Sequence, residues 1–471
     1  MEEAFREGTF APFERDMVTL AAEDPSGRRQ STRVVARRHD DLGIVLELTA
    51  PGSPKPPIRR AGEIRQINED LQLVDLAGHR AVVRAISWDG QTTTLGRNGP
   101  ETTSRYSVGA IEWEFGGSRR LKPAYTVEWL LNLPSRGIWP ASAKLEMVET
   151  IVRTLSEDDS VLRMRRQQRS VGLSRALYVR LGDVDVWLLR TSDGRDAHRD
   201  PGLLVFGGVP NQAFRDRARH CISFVLGRPL VLLGHAEYAA AGAAIRMRSV
   251  PGFSEKGRMF DLVDLPPYPM HATSESLVAS DRFASAVTAL FAAYDQTGFQ
   301  ALSWSYWYAA CAPFQSAAVH FGGVVEQLQR ACLRGAPDTS KTLLLDETWQ
   351  SLSEMFTTWL ADEELDPKLR KILMGKFNGL NQAPLNLQLA RVMAALDLEI
   401  GQSEMDAWRH RNRAAHGALP SDMASAIRGN TLLQGLVHRI LAALTGCSSQ
   451  YVDYASLDHP TRHINTLAAA S

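Results

Sequence analysis

The hydrophobic pattern of this chain changes period near residue 275, and this change constrains the fold more than any other sequence feature. Before that point apolar and polar residues alternate in short runs separated by turn residues, a pattern typical of half-buried β-strands. We expect strands at residues 43–48, 71–76 and 81–88. Proline and glycine recur throughout this part of the sequence and favour short strands with frequent turns.

A β-hairpin is predicted from Ala176–Leu181 and Val184–Arg190. The Gly182-Asp183 pair between the two runs tolerates the positive φ angles of a two-residue turn. No G-x-G-x-x-G or G-K-[ST] loop follows any of the predicted strands, so the sequence argues against a nucleotide-binding Rossmann or P-loop domain. We therefore expect no cofactor.

After the segment Pro266–Met270 the apolar residues recur with the period of an α-helix. We expect helices at residues 280–294, 317–334, 348–360, 384–398, 403–416 and 429–444. The predicted fold class is α+β, with a β-rich region over residues 1–275 followed by an all-α bundle over residues 276–471. No internal repeat supports a solenoid.

The composition excludes several classes of protein. The 471 residues are 44% hydrophobic and 23% charged, with 53 basic and 53 acidic side chains, so no overall basic field attracts nucleic acid or an anionic membrane. The four cysteines form no C-x-x-C pair, which argues against a zinc cluster and a disulfide framework. With neither an apparent signal peptide nor a long apolar run, we expect a cytoplasmic protein that does not enter a membrane.

One short motif near the C-terminus has the residue types of a catalytic site. Arg411 and Asn412 are followed by His416, giving Arg-Asn-x-x-x-His. Chance predicts about one Arg-x4-His spacing in this composition, and the chain contains a second one at Arg215 and His220. Requiring an Asn directly after the Arg lowers the chance expectation to roughly 0.02.

The motif falls in the last turns of a predicted helix that begins at a capping box formed by Ser403 and Asp406. At about 100° per residue, Asn412 and His416 lie within about 40° of one another, whereas Arg411 is about 140° from His416. Asn412 can therefore orient the imidazole. Arg411 must curl toward a substrate or reach it across a subunit boundary. A helix C-terminus also favours the charged imidazolium.

These residue types suit RNA cleavage without a metal ion. The reaction needs a base for the 2′-hydroxyl proton, an acid for the leaving 5′-oxygen, and a cation for the charge that develops on the phosphate. His416 and Arg411 fit these roles. The alternative is that both side chains lie on a solvated face and merely compensate the helix dipole.

The helical region resembles the HEPN superfamily, and the whole layout is similar to ApeA-like antiphage proteins. The resemblance rests on five segments: His320–Leu328, Lys376–Asn381, Arg411–Asn412, His416–Gly417 and Leu432–Tyr454. HEPN proteins are commonly metal-independent endoribonucleases. The resemblance therefore implies an endoribonuclease with a HEPN-type bundle, in which Arg411, Asn412 and His416 are catalytic and Glu326 orients Arg411 or His416.

The same resemblance implies partners and a biological role. HEPN nucleases pair their motif helices, so we expect a homodimer or an even-numbered oligomer that cleaves RNA, with transfer RNA as one candidate substrate. The β-rich region would sense a trigger, such as a phage-derived one, in an abortive-infection antiviral defence. The alternative is a HEPN-like protein that binds nucleotides or regulatory partners without cleaving RNA.

Overall fold

The computed structural model describes residues 15–19, 33–39, 42–52, 66–67, 70–75, 79–96, 99–115, 121–134, 141–154, 161–190, 201–252, 267, 279–334, 341–415 and 422–468. The chain divides into two compact units. The first comprises Met1–Arg219, Arg228–Asp264 and Ala272–Ala284, and the second His220–Gly227, Leu265–His271 and Ser285–Ser471. Within the described ranges, no helix combines the length and the apolar character needed to cross a bilayer.

The first unit is built on antiparallel strands that hydrogen-bond in the order β4-β6-β5-β1-β2-β3-β7-β14-β13-β8-β12-β11-β10-β9. Their bounds are β1 Arg15–Thr19, β2 Arg33–Arg38, β3 Ile44–Pro51, β4 Gln66–Ile67, β5 Leu71–Asp75, β6 Arg80–Gly96, β7 Gly99–Glu114, β8 Pro123–Leu130, β9 Ala141–Thr154, β10 Val161–Leu181, β11 Val184–Arg190, β12 Gly202–Gly207, β13 Leu232–Ala239 and β14 Ala244–Ser249. β6 also pairs with β7, so the six strands β6, β5, β1, β2, β3 and β7 close on themselves.

Alternation of side chains explains how this sheet forms a core. On a strand successive residues point to opposite faces, so every second residue can be buried. Leu46 and Leu48 on β3 and Val83 on β6 are almost fully buried, and they share a cluster with Tyr106 and Trp113 of β7. Apolar residues of the predicted strands β3 and β6, together with those of β7, which was not predicted, therefore supply the interior of the first unit.

The predicted strands are present, and several are longer than expected. The hairpin is confirmed, since Leu181 pairs with Val184 across the turn at Gly182 and Asp183. A helix within the first 275 residues was not predicted. It is α1, Gln212–Leu226, and the side chain of Asn211 accepts a hydrogen bond from the Phe214 amide at its start (2.9 Å). An Asn at this position is a common helix start, so the local sequence did carry the signal.

The C-terminal part of the chain is helical, as expected. Its helices are α2 Ser280–Ala292, α3 Tyr294–Thr297, α4 Phe299–Cys311, α5 Phe314–Cys332, α6 Asp346–Asp362, α7 Pro367–Asn378, α8 Leu385–Ala395, α9 Gln402–Ala415 and α10 Met423–Thr445. The short strands β15 Gln450–Val452 and β16 Thr461–His463 follow as an antiparallel pair, so the prediction that residues 276–471 are all-α was wrong at this C-terminal end. The protein is therefore a mixed α+β protein, with a large antiparallel sheet followed by a helical region.

The long helix α10 lies at the centre of the helical region. The Asp422 carboxylate accepts hydrogen bonds from the Ala424 and Ser425 amides at its N-terminus (3.2 and 2.7 Å). Gly446 ends the helix with a φ of 70°. Most of the α10 residues between these ends are buried, because the helix packs against both α5 and α9. A helix enclosed in this way fixes the positions of the two helices beside it.

Candidate active site

The motif helix α9 begins one residue before the predicted start. At the start of this helix, the Glu404 carboxylate accepts a hydrogen bond from the Gly401 amide at 2.9 Å. The predicted capping box of Ser403 and Asp406 is therefore wrong. Asp406 is exposed and pairs with the equally exposed Arg409 at 3.1 Å. The predicted spacing is present, because a carboxylate three residues after the capping position accepts a hydrogen bond from that position. The residues involved are Gly401 and Glu404, two positions before the predicted pair.

The start of α9 is held by a buried ion pair. The second oxygen of Glu404 contacts Arg439 Nη1 of α10 at 2.5 Å, and neither side chain is more than 4% exposed. Arg439 also donates to the carbonyl oxygens of Ile464 and Glu399 at 2.7 and 2.6 Å. Since these bonds satisfy every nitrogen of the guanidinium, the charge can remain buried. They join α9 to α10 and to the C-terminal segment.

The buried face of α9 determines where the motif arginine lies. Glu404, Ala407, Trp408 and Arg411 are all buried, and their spacing of three and four residues places them on one side of the helix. That side packs against α5 and α10. Arg411 is therefore directed into the helical unit, and the solvated-face alternative does not hold for this residue.

Arg411 is held at one nitrogen and free at two others. Its Nη1 donates to Glu326 Oε1 on α5, and its guanidinium carbon lies 3.9 Å from the centre of the Trp408 ring. The Arg411 side chain is only 9% exposed and that of Glu326 28%. Among the described residues, Arg411 Nε and Nη2 have no hydrogen-bond partner. The structure thus brings together two of the four predicted site residues.

Gly322 on α5 makes this placement possible. A Cβ at this position would lie 2.4 Å from Cδ of Arg411 and 3.3 Å from its Nε. The first separation is too short for two non-bonded carbon atoms, so any residue larger than glycine would clash with the Arg411 side chain. Gly322 precedes Glu326 by one helical turn, so the two residues face the same way. The aliphatic stem of Arg411 therefore crosses α5 at the glycine, and its charged end meets the carboxylate one turn later. Gly322 and Trp408 were not predicted to have roles in the site.

The other two predicted residues are not placed. The side chain of Asn412 lies outside what the structure describes, although its backbone belongs to α9. His416 also falls outside the described residues, directly after the last residue of the helix at Ala415. Their relation to Arg411 remains a prediction from the helical spacing.

The second Arg-x4-His spacing has a different environment. Arg215 Nε contacts Glu128 Oε1 at 3.1 Å, and the Glu128 side chain is fully buried. His220, in contrast, has its Nδ1 2.7 Å from the hydroxyl oxygen of Tyr294. These two residues contact unrelated partners, so the spacing alone does not create a site. In the motif helix it is the placement against α5 that distinguishes Arg411.

A buried histidine on α10 was not singled out in the sequence. His438 Nε2 accepts a hydrogen bond from the Tyr306 hydroxyl at 2.9 Å, and that hydroxyl accepts one from Gln434 Nε2 at 2.8 Å. Burial lowers the pKa of His438 to about 3 and raises that of Tyr306. Both side chains are therefore neutral near pH 7, and they act as packing and hydrogen-bonding groups in the core of the helical unit.

Comparison with known proteins gives no relative. No family model, no curated protein and no solved structure matches the chain. Within the described residues, no group of three or more His, Cys, Asp or Glu side chains has the geometry of a metal site. The guanidinium is held at one end, and its other two donor nitrogens lack a hydrogen-bond partner among the described residues. Two such donors suit two oxygens of a phosphate group, which must displace neighbouring groups to reach these buried atoms.

Proposed function

We propose that the protein is a metal-independent endoribonuclease of the HEPN type, and that Arg411 binds the RNA phosphate at which the chain is cut. The observation that carries this proposal is the buried guanidinium of Arg411 with Nε and Nη2 unpaired among the described residues. Leaving buried donors without acceptors typically costs about 1–3 kcal/mol, more for a charged group. Two phosphate oxygens that accept hydrogen bonds from both nitrogens would offset that free-energy cost.

The supporting contacts favour a positioned group over a mobile one. The Trp408 ring lies beneath the guanidinium, Glu326 fixes Nη1, and the missing side chain of Gly322 admits the stem. A cation fixed before the substrate arrives stabilises charge that develops in the transition state without reorganising. Glu326 is then a positioning residue, because it acts through Arg411.

The proposed reaction divides its roles among the motif residues. The 2′-hydroxyl oxygen attacks the adjacent phosphorus, and His416 takes the hydroxyl proton. The bond from phosphorus to the 5′-oxygen breaks, and that oxygen receives a proton from an imidazolium. Arg411 stabilises the negative charge on the non-bridging phosphate oxygens, and Asn412 orients the imidazole. The products are a 2′,3′-cyclic phosphate and a 5′-hydroxyl.

The test is cleavage of labelled transfer RNA by the purified full-length chain in EDTA, with analysis of the RNA ends. We expect cyclic phosphate and 5′-hydroxyl ends. Arg411→Ala and His416→Ala should each lower the rate by about 10²–10⁴-fold, the usual contribution of such groups. Arg409→Ala is the matched control, because Arg409 lies on the same helix but is exposed, and its partner among the described residues is the exposed Asp406. It should retain the wild-type rate.

Three results would contradict the proposal. Loss of cleavage in EDTA would assign the chemistry to a metal ion, and a fully active His416→Ala variant would move the proton transfer elsewhere. RNA binding without any product, in the presence or absence of divalent ions, would indicate a regulatory binding protein. Thermal unfolding of each variant must show a folded chain, since removing Arg411 leaves Glu326 unpaired.

The proposed active form is a homodimer, because two motif helices would combine the Arg411 of one chain with the His416 of the other. Mixing an Arg411→Ala chain with a His416→Ala chain tests this arrangement. We expect the mixture to recover part of the activity that neither variant has alone. An active monomer, or a mixture that remains inactive while mixed dimers form, would show that each chain carries its own complete site.

The proposed biological role is antiphage defence, with the β-rich unit regulating the site. Expression of the wild-type chain, or infection of cells that carry it, should arrest growth, and the His416→Ala variant should not. Sequencing of RNA ends from the two cultures would identify the target RNA. Equal growth arrest by both variants would separate the toxicity from the proposed cleavage.

A further inference from the structure

The helices α6 and α7 form an antiparallel hairpin with few other contacts. The Phe377 ring of α7 stacks between Trp349 and Phe356 of α6, with ring centres 4.8 and 3.9 Å apart. Both helices lie entirely within the described residues. Leu360 is the one buried residue of α6, and α7 has none. This pair of helices is thus attached to itself more than to the rest of the unit.

One side of the hairpin is apolar and exposed. Five residues make up this hairpin face, with exposed fractions between 41% and 67%: Leu352, Met355 and Trp359 on α6, and Leu369 and Ile372 on α7. At about 100° per residue, each set lies roughly a quarter to a third of a turn from the stacked aromatic face of its own helix. Because the helices are antiparallel, these rotations turn both sets toward the same side. Large apolar side chains grouped in this way mark an interaction surface.

The two helices carry opposite charge. α6 contains four acidic residues and no basic one: Asp346, Glu347, Glu354 and Asp362. α7 contains four basic residues and no acidic one: Lys368, Arg370, Lys371 and Lys376. A hairpin with one acidic helix and one basic helix can pair favourably with a copy of itself, provided that each helix meets the opposite helix.

We propose that the hairpin face binds the hairpin face of a second copy of this chain, forming a four-helix bundle. A two-fold axis parallel to the helices places α6 over the partner's α7, so that acidic helices meet basic ones. A two-fold axis across the helices would place α6 over α6, and the four acidic residues of each would repel. The first arrangement also aligns the C-terminal end of α6, at Asp362, with the N-terminal end of the partner's α7, at Lys368. The five exposed apolar side chains are then buried against their counterparts.

Sedimentation equilibrium of the full-length chain tests the apolar contact. Ile372→Glu and Met355→Glu should each halve the assembled mass over a concentration series, and at least tenfold more protein should be needed to restore it. Leu457→Glu is the matched control, since Leu457 is 93% exposed and lies outside the hairpin. It should leave the mass unchanged. The expected result is a halving of the assembled mass, whether or not the motif helices also pair. The measurement does not depend on nuclease activity.

A charge exchange tests the pairing of α6 with α7. Asp362→Lys and Lys368→Asp should each weaken assembly, because each brings like charges together twice in a symmetric dimer. An equal mixture of the two variants should reassemble, since both contacts then join opposite charges. The proposal would be overturned by a wild-type chain that is monomeric at every concentration. It would also be overturned if Ile372→Glu and Met355→Glu left the assembled mass unchanged, or if Leu457→Glu lowered it equally. Failure of the mixture to reassemble would overturn the pairing of α6 with α7. Circular dichroism must show that each variant keeps its helices.

Discussion

Replacing Gly322 by alanine should damage the site from the side of α5, without altering a charged residue. The added methyl would lie 2.4 Å from Cδ of Arg411, whereas non-bonded carbons approach to about 3.5–4.0 Å. The Arg411 stem must therefore move by about 1 Å. The Trp408 ring and Glu326 both contact its guanidinium, so a shift of the stem displaces the guanidinium from these two contacts. A displacement of this size at a substrate-positioning group can lower a rate by about 10²-fold.

The neighbouring glycine provides the control. A Cβ at Gly323 would meet nothing within 4 Å, so Gly323→Ala gains only the helix propensity of alanine, about 0.8–1.0 kcal/mol. Gly322→Ala gains the same propensity but loses about 1–3 kcal/mol to overpacking. We expect the unfolding free energy of Gly322→Ala to lie about 1–3 kcal/mol below that of Gly323→Ala. Urea unfolding and RNA cleavage would be measured on both variants.

The two measurements refute different steps of the reasoning. Equal stabilisation by both substitutions would show that the Arg411 stem does not cross α5 at Gly322. A destabilised Gly322→Ala variant with the cleavage rate of Gly323→Ala would show that the position of Arg411 has no bearing on catalysis. The first comparison remains informative even if the protein cleaves no RNA.

Three further predictions concern the helical unit. Glu404→Ala removes the partner of the buried Arg439 and should lower the unfolding free energy by about 3–5 kcal/mol; a loss below about 1 kcal/mol in urea unfolding would contradict this. Because burial lowers the pKa of His438 to about 3, the unfolded chain binds a proton that the folded chain does not between about pH 6.5 and pH 3. Stability should therefore fall by up to about 1.4 kcal/mol per pH unit as the pH drops through that window, and His438→Gln should reduce this slope in pH-dependent unfolding. Asn412→Ala should slow RNA cleavage less than His416→Ala, because Asn412 orients the imidazole and transfers no proton; equal losses would contradict that assignment.

The helices that could be predicted are those with one apolar side. The run at 317–334 was predicted from such a pattern, and α5 is observed at Phe314–Cys332. The helix α4, Phe299–Cys311, was missed because its apolar residues are spread around its whole circumference and show little periodicity. α7 was missed although the sequence signals its start, where Asp366 caps the helix and Pro367 occupies its first turn.

The pairing of Arg411 with Glu326 was predictable from the sequence, whereas the packing that places it was not. The residue types and spacing indicated Arg411, and the family resemblance indicated Glu326. The inward direction of Arg411 was not foreseen, because helical angles alone do not say which side of α9 is buried. Gly322 carried no signal, since the absence of a side chain acquires meaning only when another helix lies across it.

Two ion pairs, one buried at Glu404 and one partly buried at Arg411, give the motif helix a single register. Glu404 and Arg411 lie seven residues apart on the same face, with opposite charges, and each meets its counterpart on a different helix. A slip of α9 by one turn, about 5.4 Å, would separate both pairs at once and leave four charged groups without their ion-pair partners. Slipping in either direction would also bring an uncharged residue to Arg439 or to Glu326. Sliding of α9 is therefore too costly a way to move Arg411, and α9 serves as a fixed reference for any group that approaches this side chain.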